Sequence, residues 1–354
     1  MKILLIKMSS MGDVFHTFPA LTDALSAYPD LQVDWIVEKG FSEIPSWHPA
    51  VKTIFPIELR AWRKNVWKNR HTIRQFFEAI NPGRYDLIID AQGLIKSAWV
   101  ARKLRAAGAK KLIGLDWYSA REPLASLVYQ QKISVDKNQH AVTRLRQLFA
   151  STLGYSYSTP DSEHIDYGLK LPDHSILDDQ AFQSGGYHLF LHGTTWDTKL
   201  WPESYWIELG LHALQSGQAL VLLWGTEEEK ARALRIQAAL LDASLGGNAV
   251  ARVWVPGERL SLLAVAHLLK NARQIVSVDT GLSHVSAALE VPISIIYRVT
   301  DPAKIGAKGN KVVMLASPVA PHYVKQFRDA EQEAESLVGI QVEDVIEASE
   351  CLGH

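Results

Sequence analysis

A single cysteine, Cys351, stands in 354 residues, so no disulfide can close within the chain. Such sparing use of the residue fits a reducing compartment. No apolar run approaches the roughly 20 residues that a membrane-spanning helix needs. The run near the start, Ile3-Leu4-Leu5-Ile6, is closed by Lys7 and is too short for the core of a secretion signal. Neither sign of charge dominates. Lys and Arg number 37 against 38 Asp and Glu, a net charge of −1, which gives no overall field to attract nucleic acid. The first strand is followed by no G-x-G-x-x-G, which argues against a dinucleotide-dependent dehydrogenase, and no nucleotide-triphosphate loop occurs. The 13 histidines are scattered. His188 and His192 lie four apart on an expected strand, a spacing that does not converge on one metal. These absences predict a cytoplasmic protein with no transmembrane segment, no nucleic-acid partner and no metal.

What is present is α/β alternation, and the length predicts two domains. Residues 1–165 form the first domain and 180–325 the second. A tail over 326–354, amphipathic from Val342 to Leu352, packs back across their junction. Gly154 to Gly186, rich in Ser, Asp, Pro and Gly, reads as the linker. Short β-branched runs predict buried parallel strands at Ile3–Ile6, Gln32–Val37, Val51–Phe55, Asp86–Asp90, Lys111–Gly114 and Lys132–Val135. The second domain repeats the pattern at Tyr187–Leu191, Ala219–Leu223, Arg252–Val255, Ile275–Val278, Ile293–Tyr297 and Val312–Leu315. Helices are predicted over Leu94–Leu104, Asn138–Leu153, Glu227–Leu241, Ser261–Leu269 and from Leu282 to Leu289. After the first strand, Pro19 leaves two readings: a helix from Asp13 bent at Pro19, or one from Thr17 with Pro19 in its first turn.

Chemistry concentrates at the carboxyl ends of the predicted strands, where open α/β sheets bind ligands. Asp279-Thr280-Gly281 joins a strand to a helix. The first N–H groups of such a helix lack intrahelical acceptors and attract anions, and a glycine admits a phosphate close to the backbone. His284 sits one turn further on. Gly12 and Asp13 lie at the edge of the first strand, and Asp90 at the end of another. From Arg60 to Arg74 there is no acid; Arg60, Arg63, Lys64, Lys68, Arg70, His71 and Arg74 are interspersed with Trp62 and Trp67. Exposed helix faces ordinarily mix signs, so this segment reads as a site for a polyanion at a membrane surface, tryptophans at the lipid interface and arginines on carboxylate or phosphate.

Several segments together resemble the ADP-heptose:lipopolysaccharide heptosyltransferases. They are Ser9-Ser10-Met11-Gly12-Asp13-Val14 with His16-Thr17 and Pro19-Ala20-Leu21; Asp90-Ala91-Gln92-Gly93-Leu94 with Lys96-Ser97; and Ala120-Arg121-Glu122-Pro123. In the second half they are His192-Gly193-Thr194-Thr195 with Lys199 and Trp201-Pro202, Trp224-Gly225, and Val278-Asp279-Thr280-Gly281-Leu282-Ser283-His284. The resemblance implies a GT-B architecture, two Rossmann-like domains facing across a central cleft. It implies inverting transfer of heptose from ADP-L-glycero-β-D-manno-heptose, a co-substrate rather than a cofactor, to Kdo on lipid A at the cytoplasmic face of the inner membrane.

On that resemblance Asp13 is the base, with Asp90 the second choice. Thr194, Thr195, Lys199, Glu229, Asp279, Thr280, Gly281 and His284 hold the donor. Asp279 positions heptose hydroxyls or the loop itself, and His284 contacts phosphate or braces the turn. Glu229 takes the ribose hydroxyls, with Glu227 and Glu228 close in register. Ser10, Gly12, Arg60, Arg63, Lys64 and Arg121 face the acceptor. Two departures stand out. Arg298 and Val299 occupy a donor-side loop where glycine and proline are usual, and Gly193 replaces a common alanine, a change expected to be harmless. Two other readings keep some of these features: a GT-B nucleotide-sugar 2-epimerase, and a non-catalytic protein that binds anionic lipid through Arg60–Arg74.

Overall fold

The computed structural model describes residues 1–157, 164–174, 186–243 and 252–352. Much of the stretch read as linker, 158–163 and 175–185, lies outside the described residues. The chain divides into two compact units, Met1–Lys170 and Leu171–His354.

The first unit carries a six-stranded parallel sheet in the order β3-β2-β1-β4-β5-β6. Its strands are β1 (Lys2–Ile6), β2 (Gln32–Glu38), β3 (Val51–Ile57), β4 (Leu87–Asp90), β5 (Leu112–Leu115) and β6 (Gln131–Ile133). β1 is central and pairs with both β2 and β4, Ile6 opposite Ile36 on one side and Asp90 on the other. Helices cover both faces, so the middle strands are apolar on both sides and read as unbroken hydrophobic runs. Residues Ile3 to Ile6 are fully buried.

The chain after β1 satisfies parts of both helical readings. A short α1 (Met11–Phe15) is followed by α2 (Phe18–Ala27), with Thr17 as N-cap and Pro19 at the helix start. Proline there removes an N–H that would have had no acceptor anyway. The cationic segment forms α3 (Leu59–Lys64) and α4 (Val66–Ala79). α5 (Ile95–Ala106) follows β4, a 3-10 stretch of about two turns, Pro123–Val128, lies alongside α5, and α6 (Ala141–Leu153) ends at Gly154 in a left-handed cap.

The second unit repeats the topology. Its sheet runs β12-β11-β10-β7-β8-β9, which read from the far edge is the same order as the first. The strands are β7 (Tyr187–Leu191), β8 (Ala219–Leu222), β9 (Val253–Trp254), β10 (Gln274–Val278), β11 (Ile293–Tyr297) and β12 (Val312–Ala316). The helices include α7 (Glu203–Gln215), α8 (Glu227–Ala243), α9 (Leu262–Asn271) and α10 (Gly281–Ala288). α7 has no counterpart among the sequence expectations. It buries Trp206, Leu209, Gly210 and Ala213, and a Cβ on Gly210 would lie 2.8 Å from Leu240 on α8. Glycine is therefore what lets the two helices close up.

α11 (Pro302–Ile305) and α12 (Ala330–Glu335) precede the C-terminal helix α13 (Val342–Cys351). Val342 and Val345 of α13 enter the core of the second unit. Ser349 accepts from Gln274 Nε2 through its carbonyl at 2.7 Å and meets Ser294 Oγ at 3.0 Å. In both sheets the strand order reverses between two central strands, β1 and β4 in one, β7 and β10 in the other. Ligand crevices of doubly wound folds open at such switch points.

Candidate active site

At the switch point of the first unit, Asp13 sits on α1 just past the end of β1. Lys7 Nζ donates to its Oδ1 at 3.0 Å and to Ala91 O at 3.1 Å. The Ser10 N–H donates to Oδ2 at 2.8 Å, and Ser10 Oγ approaches the same oxygen at 3.3 Å. Lys7 is only 5 % exposed, whereas the Asp13 side chain keeps 31 % of its surface. Burial pushes the Asp13 carboxyl up, but the Lys7 ammonium, then His16 and the Ser10 N–H, outweigh it and bring the group down to about 2. The result is a carboxylate that is ionised at neutral pH, held at both oxygens, and still open to an incoming group.

The loop before Asp13 is pinned from β4. Gln92 Oε1 accepts from the Met8 and Ser9 N–H groups, and Gln92 Nε2 donates to Ser9 O. Lys96 Nζ donates to Ser9 Oγ at 2.6 Å. Burial pulls the Lys96 ammonium down, while Glu38 and Asp13 oppose that pull, and Arg60 and Lys7 add to it. Arg60 thus belongs to the same charged neighbourhood as Asp13. Arg63, Lys64 and Arg121 are exposed, as is Ser10, while Gly12 is buried within α1. Among the described residues no hydrogen bond or ion pair joins Arg63, Lys64 or Arg121 to Asp13.

Two readings change. Trp62 is not a lipid-facing residue: it is 4 % exposed, belongs to the core and meets Phe76 edge-on at 5.3 Å, leaving Trp67, at 80 %, as the exposed tryptophan. Asp90 does not suit a base. It is fully buried, Tyr129 Oη donates to Oδ2 at 2.7 Å, and the Gln92 and Gly93 N–H groups bond to Oδ1. Burial raises its carboxyl, against those hydrogen bonds. Its work is to shape the turn that carries Gln92.

At the switch point of the second unit, Asp279 is the hub. Its Oδ2 accepts from Lys199 Nζ at 2.6 Å and from Thr300 Oγ1 at 2.7 Å, and its carbonyl accepts from Thr194 Oγ1 at 2.8 Å. The carboxylate therefore braces the loops that carry Lys199 and Thr300. Thr280 is the N-cap of α10, and its N–H bonds back to Ser283 Oγ at 3.3 Å. Gly281 and Leu282 open the helix, half-buried, with the first-turn N–H groups that suit an anion. His284 is 8 % exposed, which favours bracing the turn. Thr195 is exposed in the loop after β7, beside the half-buried Thr194.

The departing loop turns away from this hub. Arg298 is 5 % exposed and donates to Leu200 O and Ser336 Oγ, both at 2.8 Å, so it ties the loop to the body of the second unit. The loop's contribution to the hub is Thr300, which sequence reasoning did not single out.

Among the three acids opening α8, Glu229 is the one turned inward; Glu227 and Glu228 are exposed. Its Oε2 accepts from the Gly225 N–H at 2.6 Å and the Thr226 N–H at 3.2 Å. Its other oxygen lies over Gly193, where a Cβ would stand 2.3 Å from Oε1 and 2.4 Å from Cδ. Gly193 is therefore not a neutral exchange for alanine. A methyl group there would fill the space that the glutamate occupies. Beneath it His192 is fully buried, and burial, then Arg232, pulls its imidazole down to about 4, so the ring is neutral.

Among the described residues no cluster of three or more metal-ligating side chains occurs, and no helix is long and apolar enough to cross a membrane. The model of glycosyltransferase family 9 (heptosyltransferase) matches residues 73–334. Lipopolysaccharide heptosyltransferase 1 of Pseudomonas aeruginosa is 47 % identical over 325 residues, covering 91 % of this chain and 86 % of that protein. The solved structure of E. coli heptosyltransferase WaaC with ADP superposes with a TM-score of 0.83 at 39 % identity, over 99 % of this chain and 100 % of that one. The same E. coli protein with ADP-2-deoxy-2-fluoro heptose gives 0.80 at 39 % identity, over 99 % of each chain.

Proposed function

The chain belongs to glycosyltransferase family 9, the heptosyltransferases, and from that premise we propose that it moves L-glycero-D-manno-heptose from ADP-heptose to a Kdo sugar on lipid A, inverting the anomeric carbon. The observation that carries the reading is the second unit's switch point. A lysine, threonine hydroxyls and a helix start converge there, in a chain that shares its fold with a structure holding ADP.

The chemistry needs two things. An acceptor hydroxyl must lose its proton as it attacks, and the departing ADP must have its growing charge met. Asp13 serves the first need. As the hydroxyl oxygen bonds to the anomeric carbon, from the face opposite the diphosphate, its proton passes to a carboxylate oxygen of Asp13. A carboxyl near 2 is a weak base toward a resting alcohol. It suffices when transfer is concerted, because the hydroxyl becomes strongly acidic as the C–O bond forms.

Lys199 serves the second need, with the hydroxyls of Thr194 and Thr195 and the N–H groups opening α10 at Thr280-Gly281-Leu282. Asp279 holds Lys199 and Thr300 in place, and His284 braces the turn. Glu229 receives the ribose hydroxyls. On the acceptor side Ser10 and the Gly12 backbone border the base. Arg60, Arg63, Lys64 and Arg121 take the Kdo carboxylate and the lipid A phosphates, for which the guanidinium fork is suited. The protein acts at the cytoplasmic face of the inner membrane, held there peripherally.

A 2-epimerase would need no large anionic acceptor, and a purely lipid-binding protein would need no donor pocket. Incubation with ADP-heptose, with and without a Kdo–lipid A acceptor, separates the three. Heptose added to the acceptor, with stoichiometric ADP release, is the expected result. ADP-heptose consumed without any acceptor gain, or left intact, would overturn the reading.

A further inference from the structure

Exposed large apolar side chains gather on one part of the first unit. Ile95 and Trp99, one turn apart on α5, are 51 % and 37 % exposed, and Leu124 and Leu127 in the neighbouring turn are 56 % and 63 % exposed. The two elements are stitched side by side. The Ile95 N–H donates to Glu122 Oε2 at 2.5 Å, and Arg105 Nη1 donates to Val128 O at 3.1 Å further along. The buried sides of both enter one core cluster, so the exposed leucines are not frayed. On the opposite flank Trp99 meets Phe77 of α4 at 5.7 Å. The hollow between α4 and α5, about 740 Å³, is rimmed by Arg70, Arg74 and Lys103.

Scattered apolar residues on a surface need no explanation, but this set has a chemical setting. α5 and Pro123–Val128 contain no acid at all, and the one acid of α4, Glu78, is taken by Arg74 at 2.6 Å. Glu122, bonded to the Ile95 N–H, and Glu78, paired with Arg74, are the carboxylates beside the strip, against Lys96, Arg102, Lys103 and Arg105 of α5 and Lys68 and Arg70 of α4, so cations outnumber acids here in a chain whose net charge is −1. Apolar side chains at the centre with Lys and Arg around them match a bilayer bearing anionic headgroups. The acyl region takes the leucines, and the phosphates take the cations.

We propose that Leu124, Leu127, Ile95 and Trp99 form an insertion point by which the first unit docks on an anionic bilayer, α4 and α5 supplying the electrostatic attraction. This deepens the function proposed above, since a lipid-anchored acceptor is presented from such a surface. None of these four side chains is among the residues assigned to sugar and phosphate, although Arg121 lies three residues before Leu124.

Sedimentation with phosphatidylglycerol-containing vesicles tests it, using Leu124→Asp/Leu127→Asp with Leu124→Trp/Leu127→Trp as the shape-tolerant control. The wild type and the tryptophan variant are expected to sediment with anionic vesicles and to be released by salt. The aspartate variant is expected to lose about a hundredfold in partitioning, from about tenfold per leucine. Its transfer to a Kdo acceptor stripped of acyl chains should equal wild type, with transfer to vesicle-borne acceptor reduced. The proposal is overturned if the aspartate variant sediments like wild type, if wild type ignores anionic vesicles, or if activity on the soluble acceptor falls equally. Should wild type transfer heptose to neither acceptor, the proposed function fails, while sedimentation still reports on the surface.

Discussion

Replacing Gly193 by alanine isolates one contact and separates donor binding from chemistry. The new Cβ would stand 2.3 Å from Glu229 Oε1 and 2.8 Å from its Cγ. The glutamate, as the more flexible partner, must swing away from β7. In doing so it gives up its bonds from the Gly225 and Thr226 N–H groups, at 2.6 Å and 3.2 Å. Hydrogen bonds to a charged group contribute about 1.5–3 kcal/mol each when buried. Glu229 is half-buried, so water replaces part of the loss, and the folding cost should stay near 1 kcal/mol. The ribose contact has no such substitute. Losing it should raise the KM for ADP-heptose, and the Kd for ADP, by about tenfold, or roughly 1.4 kcal/mol. The ribose is remote from the bond that breaks and is held alike in the ground and transition states, so kcat should change little. Isothermal titration with ADP and steady-state kinetics read both quantities. In a Glu229→Ala background the extra methyl should add nothing, because the group it displaces is gone. Unchanged ADP affinity in Gly193→Ala, or a fall in kcat with KM intact, would refute the reasoning.

Lys7→Met removes the cation 3.0 Å from Asp13 and leaves the Ser10 N–H in place. The Asp13 carboxyl should then rise from about 2 toward its ordinary range. Its higher basicity would speed proton transfer, but loss of orientation costs more, and kcat should fall about tenfold. The same ion pair contributes stability that is present above the unfolded carboxyl value of about 4 and is lost as pH falls through about 2. Urea midpoints between those pH values should therefore decline less steeply in Lys7→Met than in wild type, and parallel curves would exclude the linkage. Lys199→Ala should weaken donor binding by about 10–10² fold while Asp279 keeps its bond from Thr300, and normal ADP affinity would remove Lys199 from the phosphate role.

The strands were legible because both sheets are parallel and covered on both faces. Ile3–Ile6 is apolar throughout, and Ile293–Tyr297 is apolar but for Ser294, so both can be read without tertiary knowledge. α7 was not read, although Pro202 and Glu203 mark its start. Gly210 in its middle weakens the helical signal, and the reason for that glycine, Leu240, lies on another helix. The site divides in the same way. Asp13 and the Asp279-Thr280-Gly281 turn stand out locally, as acid and strand–turn–helix junction, whereas Lys199 is marked only by the family resemblance.

Their supports do not stand out. Lys7 looks like a charge that merely ends an apolar run, and only the fold of α1 brings Asp13 round to it. Thr300 is 21 residues beyond Asp279 and reaches it only because β11 pairs with β10. Gly193 and Glu229 meet through the turn after β8, a contact that no spacing encodes. Trp62 and Trp67, five residues apart, look alike in sequence; the packing of Phe76 buries one and leaves the other in solvent.

The central claim is that Asp13 takes the proton of the attacking hydroxyl. Asp13→Asn keeps the shape of the side chain and its neighbours but removes the charge. Single-turnover transfer from ADP-heptose to a Kdo–lipid A acceptor, measured beside ADP affinity, should show a rate lowered by about 10²–10⁴ fold with ADP binding unchanged. Transfer at the wild-type rate in that variant would contradict the account.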